Sequence, residues 1–149
     1  GKKLDDYSLL EINECMDINF NLHAFILGKI LNKLSNKCCV LFVSSISGEK
    51  GSFDPIYAAS KGAQIAFVKS LSNWLSPKIR INVISPSLIK DSKMYFQMDE
   101  KRQNYHKFIN PMKKLLTKED LSEIIFDISL KHWSHMNGQV ISINGGQYS

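Results

Sequence analysis

An uninterrupted apolar run from Cys38 to Val43 constrains the fold of this chain more than any other stretch. A strand with one solvated face alternates apolar and polar residues, whereas a strand that is covered on both faces does not. The run therefore predicts a buried strand over residues 37–45 of a parallel sheet. Ser44 and Ser45 end this strand, so we expect them at the carboxyl edge of the sheet, where such folds bind their ligands.

Helical and strand patterns alternate through the rest of the chain, as a parallel α/β sheet with right-handed crossovers requires. Ser8 and Glu11 have the spacing of a capping box, and they open a helical pattern that runs over residues 9–35. The other predicted elements are helices over residues 56–75 and 117–131 and strands over residues 80–84 and 139–143. Residues 44–55, which are rich in glycine and serine, are predicted to form an irregular loop.

Residues 87–111 are the least regular part of the sequence. Met94, Tyr95, Phe96 and Met98 give this segment an apolar and adaptable surface. Such a surface suits a mobile lid over a substrate, and it suits a helix that packs ordinary core residues equally well. Both interpretations are open at this point.

Length and composition exclude several classes of protein. With 149 residues, of which 44% are hydrophobic, the chain suits a single domain over residues 1–149. No apolar stretch reaches the ~20 residues of a membrane-spanning helix, so no membrane span is predicted. The net charge is +5, but the lysines are scattered and the only arginines are Arg80 and Arg102. Because recognition of bases and paired phosphates relies on arginine, we expect no nucleic-acid partner.

The cysteines and histidines predict neither disulfides nor a metal site. Cys15, Cys38 and Cys39 make an odd count, which fits a reducing compartment and a cytoplasmic protein. His132 and His135 have a spacing that some metal sites use, but no cysteine or carboxylate cluster joins them at ligand spacing. A solvated histidine pair near a helix end is therefore expected.

Tyr57 and Lys61 lie one helical turn apart at the start of the second predicted helix, so they share one face. A free tyrosine has a pKa of about 10, and a cation within several Å can lower that pKa by about 1 to 3 units. Lys61 can supply that cation, while the hydroxyl of Ser45 holds a carbonyl or alcohol oxygen. Hydride must then come from a bound cofactor, because no side chain carries it.

Five motifs in this order closely resemble the classical type of short-chain dehydrogenase/reductase. They are Asn19, Ser45-Ile46-Ser47-Gly48, Tyr57-Ala58-Ala59-Ser60-Lys61, Arg80-Ile81-Asn82-Val83-Ile84-Ser85-Pro86, and Asn137-Gly138-Gln139-Val140 with Gly145-Gly146. The resemblance covers nearly the whole chain. It implies a Rossmann-like, doubly wound parallel sheet and an NAD- or NADP-dependent oxidoreductase that acts on a small carbonyl compound or secondary alcohol.

The resemblance also implies roles for individual residues. Tyr57 is expected to be the general acid/base, and Lys61 to lower its pKa and hydrogen-bond the nicotinamide ribose. Ser45 is expected to polarise the substrate oxygen, with Ser44 beside the cofactor as the rival for that role. Asn19 is expected to hold a water that links Lys61 to solvent as a proton relay.

Two further features of the family concern the cofactor. The backbone from Pro86 through Ser87 to Ile89 is expected to meet the nicotinamide carboxamide, although the family usually has glycine at the position of Ser87. Asp91 replaces the family's threonine, which contacts the cofactor phosphate, and a carboxylate there repels a phosphate. Either the neighbouring Ser92 or a shift of the loop is expected to compensate.

The family's glycine-rich turn and its Asn-Ala-Gly segment have no counterpart before Asn19. The chain thus resembles the carboxyl-terminal portion of the family's domain, without its amino-terminal strands, and we expect further residues upstream. A family-derived interaction or assembly subunit without catalysis is the alternative function. By the family pattern, the helices over residues 9–35 and 56–75 pair between subunits, so we expect a homodimer or homotetramer.

Overall fold

The computed structural model describes residues 1–148, and a parallel sheet of three strands lies at its centre. The strands are β1 (Cys38–Val43), β2 (Ile79–Pro86) and β3 (Val140–Ile143), in the order β1-β2-β3. Val43 lies opposite Ile84, and Pro86 lies opposite Ile143. All three carboxyl ends therefore meet at one edge, which confirms the predicted parallel α/β sheet.

The first helical segment consists of α1 (Leu9–Met16), a π turn (Asp17–Asn21), α2 (Leu22–Ile30) and a 3₁₀ turn (Leu31–Lys33). The predicted capping box is confirmed, because Ser8 Oγ accepts from the Glu11 N–H at 3.3 Å and the Glu11 carboxylate accepts from the Ser8 N–H at 3.0 Å. The prediction of one continuous helix is wrong at the π turn. There the Asn19 amide donates to the Cys15 carbonyl at 3.0 Å, in the competition with backbone pairing that is typical of asparagine.

Two helices follow β1, namely α3 (Ile46–Lys50) and α4 (Pro55–Leu75). The prediction of an irregular loop over residues 44–55 is wrong for its first half, because Ser45 caps α3 by accepting from the Ser47 N–H at 3.1 Å. The predicted helix over residues 56–75 is confirmed and begins one residue earlier, at Pro55. Proline suits the first helical position, since its missing N–H has no partner there.

The segment after β2 contains α5 (Lys93–Phe96) and α6 (Glu100–Ile109), so residues 87–111 are more regular than their sequence indicates. The predicted helix after Thr117 is confirmed as α7 (Lys118–Ser129), with a capping box between Thr117 and Asp120. A 3₁₀ turn (Lys131–Trp133) leads from α7 toward β3.

Apolar clusters cover both faces of the sheet, as the run at β1 predicts. On the α4 face the buried members are Leu27, Phe42, Val68, Leu75, Ile79, Ile81 and Val83. On the α7 face they are Ile84, Leu121 and Ile128. No helix within residues 1–148 combines the length and the apolar character that crossing a membrane demands.

The same range contains no group of three potential metal ligands. His132 Nε2 instead lies 3.3 Å from the exposed Asp127 carboxylate.

Candidate active site

The two serines after β1 have different partners. The Ser44 hydroxyl donates to the Lys61 carbonyl at 2.8 Å, which fastens α4 to the end of the strand. The Ser45 hydroxyl lies at the start of α3, close enough to the Tyr57 side chain to act against the burial that raises the Tyr57 pKa. Ser45, rather than Ser44, is thus the serine whose hydroxyl lies near the Tyr57 phenol.

Gly48 explains why a glycine follows Ser45 at this spacing. A Cβ atom on Gly48 would lie 2.6 Å from the Lys61 carbonyl carbon and 2.8 Å from the Gly62 nitrogen. Backbone atoms of α4 cannot yield as a flexible side chain can, so α3 approaches α4 closely only with glycine here. The close approach holds Ser45 beside the first turns of α4.

Asp54 fixes the start of α4 and hence the position of Tyr57. Its carboxylate accepts from the Tyr57 N–H at 3.0 Å and from the Tyr7 hydroxyl at 2.9 Å. Burial alone would raise the pKa of Asp54, but the hydrogen bonds from Tyr57, Tyr7 and Lys2 outweigh it and lower the pKa. For Tyr7, burial and the bond to Asp54 raise the pKa to about 12.

Tyr57 and Lys61 lie together at the carboxyl edge, but their electrostatics differ from the expectation. The Lys61 Nζ atom is 6.0 Å from the centre of the Tyr57 ring and donates to the Val43 carbonyl at 2.9 Å. Burial raises the pKa of Tyr57, and the nearby Ser45 hydroxyl offsets this only in part. Burial lowers the pKa of Lys61. The predicted lowering of the tyrosine pKa by the lysine charge is therefore absent from this arrangement, in which desolvation sets the direction of both shifts.

Asn19 lies at the π turn and faces α4. Its carbonyl oxygen accepts from Gln64 Nε2 at 2.6 Å, and its side-chain amide also lies 3.4 Å from Cys15 Sγ. The same thiol is 3.9 Å from the Ser60 hydroxyl on α4. The structure thus brings Asn19 to the helix that carries the Tyr57–Lys61 pair.

The residues predicted to meet the carboxamide follow the end of β2. The Ser87 N–H donates to the Ile143 carbonyl at 2.9 Å, while Ile89 pairs with Leu116 in an isolated parallel bridge. Within residues 1–148, the buried hydroxyls of Ser85 and Ser87 have no hydrogen-bond partner. Pro86 is the last residue of β2 and is buried.

Asp91 and Ser92 lie further along the same segment. Asp91 has a left-handed backbone conformation, with φ at 58°. The Ser92 hydroxyl caps α5 by accepting from the Tyr95 N–H at 3.2 Å. Ser92, which was expected to compensate for Asp91 at a phosphate, is thus already engaged in this cap.

Three residues near the site were not predicted from the sequence, namely Cys15, Asp54 and Gln64. Asp54-Pro55 carried a usable signal, because aspartate before proline at a helix start is a capping pattern. Cys15 and Gln64 carried none. A thiol in an apolar helical stripe and a glutamine inside an alanine-rich helix both fit ordinary positions.

Comparison with known proteins agrees with this geometry. A family model described as enoyl-(acyl carrier protein) reductase matches residues 1–148. The chain is 33% identical over 122 residues to the uncharacterized oxidoreductase YmfI of Bacillus subtilis, a match that covers 80% of this chain and 48% of that one. It is 32% identical over 141 residues to the 3-oxoacyl-acyl-carrier-protein reductase FabG of Buchnera aphidicola subsp. Baizongia pistaciae, covering 91% and 57% of the two chains. The chain thus spans about half the length of the relatives it matches.

A solved structure shows the same fold. It is a short-chain dehydrogenase/reductase from Brucella melitensis, described as a glucose/ribitol dehydrogenase, with a TM-score of 0.94 and 24% identity. The match covers 99% of this chain and 60% of that one. The family model, the relatives and the ordered motifs around Tyr57 and Lys61 lead to one conclusion: the chain belongs to the short-chain dehydrogenase/reductase family.

Proposed function

We propose that this chain carries the catalytic residues of an NAD- or NADP-dependent oxidoreductase that acts on a small carbonyl compound or secondary alcohol. The observation that carries the proposal is the convergence of Ser45, Tyr57 and Lys61 at the carboxyl edge of β1. The Ser45 hydroxyl lies near the Tyr57 side chain, and Lys61 lies one helical turn further along the helix that carries Tyr57. Two hydroxyls that point at one oxygen can hold it and exchange a proton with it.

The protonation state of Tyr57 suits the role of a general acid. Because burial raises the pKa of Tyr57, its phenol is protonated at neutral pH and is ready to act as a general acid toward a carbonyl oxygen. Ser45 then donates a second hydrogen bond to the same oxygen and holds it for the transfer.

The residues present fit a nicotinamide nucleotide. Lys61 and Tyr57 would hold its ribose hydroxyls, and the backbone from Pro86 to Ile89 would contact its carboxamide. The unpartnered hydroxyls of Ser85 and Ser87 at the end of β2 support this, since polar groups without partners are common where a ligand completes a site. The nucleotide, when bound, supplies the hydride. Ser44 contributes through the anchoring of α4, because its hydroxyl is already bonded to Lys61.

Assembly and location are part of the same proposal. The first helical segment exposes Leu22, Phe25 and Ile26, which line or flank a shallow depression on its outer face. A second copy of the chain would cover such a surface, as expected for a homodimer or homotetramer. The three cysteines are free in the structure, in keeping with the reducing environment of the cytoplasm.

Substitution of the general acid tests the proposal directly. In the complete natural protein, Tyr57→Phe should lower kcat by about 100- to 10,000-fold, because the proton donor is lost while the ring remains. Nucleotide affinity, measured by calorimetry, should fall by no more than about tenfold, because only one hydrogen bond to the ribose is lost. Steady-state turnover with NADH and with NADPH on a panel of aldehydes and ketones provides the readout. Turnover by Tyr57→Phe at the wild-type rate would refute the assignment, and the lack of any nucleotide binding by the wild-type protein would refute the function.

A further inference from the structure

Gln64 is a fully buried polar residue in the middle of α4, with only 1% of its surface exposed. It follows Lys61 by three residues and Tyr57 by seven, which is two helical turns. All three side chains therefore belong to one side of α4. Burying a glutamine side chain costs free energy unless its amide is hydrogen-bonded.

That partner is the backbone of Asn19, across the interface between α4 and the first helical segment. Gln64 Nε2 donates to the Asn19 carbonyl oxygen at 2.6 Å. The Asn19 side chain is held by its own segment, through the bond from Nδ2 to the Cys15 carbonyl at 3.0 Å. Asn19 is thus fixed at both ends, by its side chain to α1 and by its backbone to α4.

The hydrogen bond from Gln64 meets the first helical segment at its π turn, where the regular α-helical pairing is interrupted. At the π turn the backbone pairing shifts by one residue, with the Leu22 N–H bonded to the Asp17 carbonyl. The Asn19 carbonyl accepts from two side chains, namely Gln64 and, at 3.1 Å, His23 Nδ1. His23 is exposed, so water can replace it as a hydrogen-bond donor to the Asn19 carbonyl. Gln64 is buried, so water cannot take its place.

We propose that Gln64 is a positioning residue, whose amide sets the place of Asn19 relative to the Tyr57–Lys61 pair. The inference rests on the proposed function for its effect on turnover, but the tether itself does not. Gln64 touches neither a substrate nor a reacting atom. It acts by linking the π turn to the helix that carries the acid/base residues.

A packing role is the competing interpretation, and one detail argues against it. Within residues 1–148 the Gln64 Oε1 atom is buried without a hydrogen-bond partner, which is unfavourable. A leucine would fill nearly the same volume without that penalty. The amide is therefore useful at this position for its N–H donor and not for its bulk.

Two variants and a matched control separate these interpretations in the complete natural protein. Gln64→Leu keeps the bulk and removes the donor. Gln64→Glu donates to the Asn19 carbonyl only when its carboxyl is protonated, and burial raises the pKa of such a carboxyl. Ser72→Ala is the control, because Ser72 is another buried polar residue of α4 whose hydroxyl bonds only within the helix, to the Lys69 carbonyl.

Hydrogen exchange followed by mass spectrometry gives a readout that is independent of activity. Amides of residues 17–23 should exchange at least about tenfold faster in Gln64→Leu than in the wild type, while those of α7 should be unchanged. Ser72→Ala should leave residues 17–23 at the wild-type rate. Unchanged exchange over residues 17–23 in Gln64→Leu would overturn the tether, whether or not the protein is an active reductase.

Kinetics then test the positioning role. Gln64→Leu should lose about 10- to 30-fold in kcat with little change in the KM for the nucleotide, as expected when the geometry of the acid/base group is disturbed. The activity of Gln64→Glu relative to Gln64→Leu should rise between pH 8 and pH 6. The ionisable groups that face this position are Tyr57 and Lys61 on α4 and Cys15 and His23 on the opposite segment, and Gln64→Leu controls for all four.

Each outcome decides one claim. A wild-type kcat in Gln64→Leu, or parallel pH profiles for the two variants, would overturn the positioning role while leaving the proposed function intact. Should Gln64→Leu fail to fold, the activity of Gln64→Glu relative to the wild type at the two pH values carries the test, with the wild type as the control for the other ionisable groups. An inactive wild-type protein would refute the proposed function, and the exchange experiment would still decide whether the tether exists.

Discussion

The segments that follow β1 and β2 leave the same edge of the sheet, and they are held in different ways. After β1, polar bonds fix each step: Ser44 is bonded to Lys61, Ser45 caps α3, and Asp54 caps α4. After β2, the segment turns through Asp91 in a left-handed conformation and continues into α5 and α6. There the Phe96 and Phe108 side chains are 68% and 72% exposed.

The segment after β1 is suited to holding side chains precisely, and the segment after β2 is suited to adapting its shape. Acid/base chemistry requires side chains held to within about 0.5 Å, which the bonded segment after β1 can provide. The segment after β2 also has polar bonds, such as the Asp99 cap of α6 and the bond from Asn110 to the Asn144 carbonyl, but it presents exposed apolar rings between them. Such rings can adapt to substrates of different shapes, as loops on rigid scaffolds commonly do. We therefore propose that the first segment carries the chemistry and that the second segment determines the choice of substrate.

The largest effect is expected at the two adjacent serines of the bonded segment. Ser45→Ala should lower kcat by about 100-fold, because it removes the donor that holds the substrate oxygen. Ser44→Ala should reduce kcat by less than about tenfold and should mainly reduce stability, by about 1 kcal/mol, since its bond to the Lys61 carbonyl is structural. Steady-state kinetics and thermal unfolding of both variants provide the comparison.

The opposite pattern, with the larger catalytic loss at Ser44, would exchange the roles of the two serines. Because Ser45 also caps α3, its variant must retain the wild-type circular dichroism spectrum before its kcat is interpreted.

A second test compares the helix caps that follow the two strands. Asp54→Ala should lower the free energy of unfolding by about 1 to 2 kcal/mol, because the carboxylate caps a helix of 21 residues and also binds Tyr7. Ser92→Ala should lower it by no more than about 0.5 kcal/mol, since it caps a helix of four residues. Urea unfolding monitored by circular dichroism measures both. Equal losses would show that the segment after β2 is as firmly anchored as the segment after β1.

Much of the fold was predictable because local signals and tertiary packing agree. The run over Cys38–Val43 predicted a strand covered on both faces, and the cap residues Ser8 and Thr117 placed the starts of two helices. The π turn was not predictable, because asparagines in a helical stripe also occur at ordinary exposed positions. Helix α3 was missed because its five residues depend on the cap at Ser45 and on the close approach of Gly48 to α4.

The site was predictable where the chemistry needs a fixed spacing, as with Tyr57 and Lys61 on one helix face. It was not predictable where a contact joins residues far apart in sequence. The bond between Gln64 and Asn19 spans 45 positions, and the bond between Tyr7 and Asp54 spans 47. The direction of the Tyr57 pKa shift was also beyond the sequence, since it depends on how deeply packing buries the phenol.

The smallest effect on stability is expected in the apolar segment after β2. A double variant, Phe96→Ser with Phe108→Ser, should change the free energy of unfolding by no more than about 0.5 kcal/mol, because both rings are exposed. If the segment contacts substrate, the KM for long-chain apolar ketones should rise several-fold while kcat for a small ketone is unchanged. Phe126→Ser is the matched control, because that ring is 67% exposed on α7 but lies outside this segment.

The competing interpretation of this segment, ordinary core packing, predicts a different result. A phenylalanine that becomes buried in the complete protein should cost about 3 to 5 kcal/mol on truncation, as Phe42→Ala is expected to do in the core. Unfolding curves for the double variant therefore distinguish a substrate-facing surface from a core surface. A large loss of stability with an unchanged KM would remove the division between chemistry and substrate choice and leave α5 and α6 as structural elements.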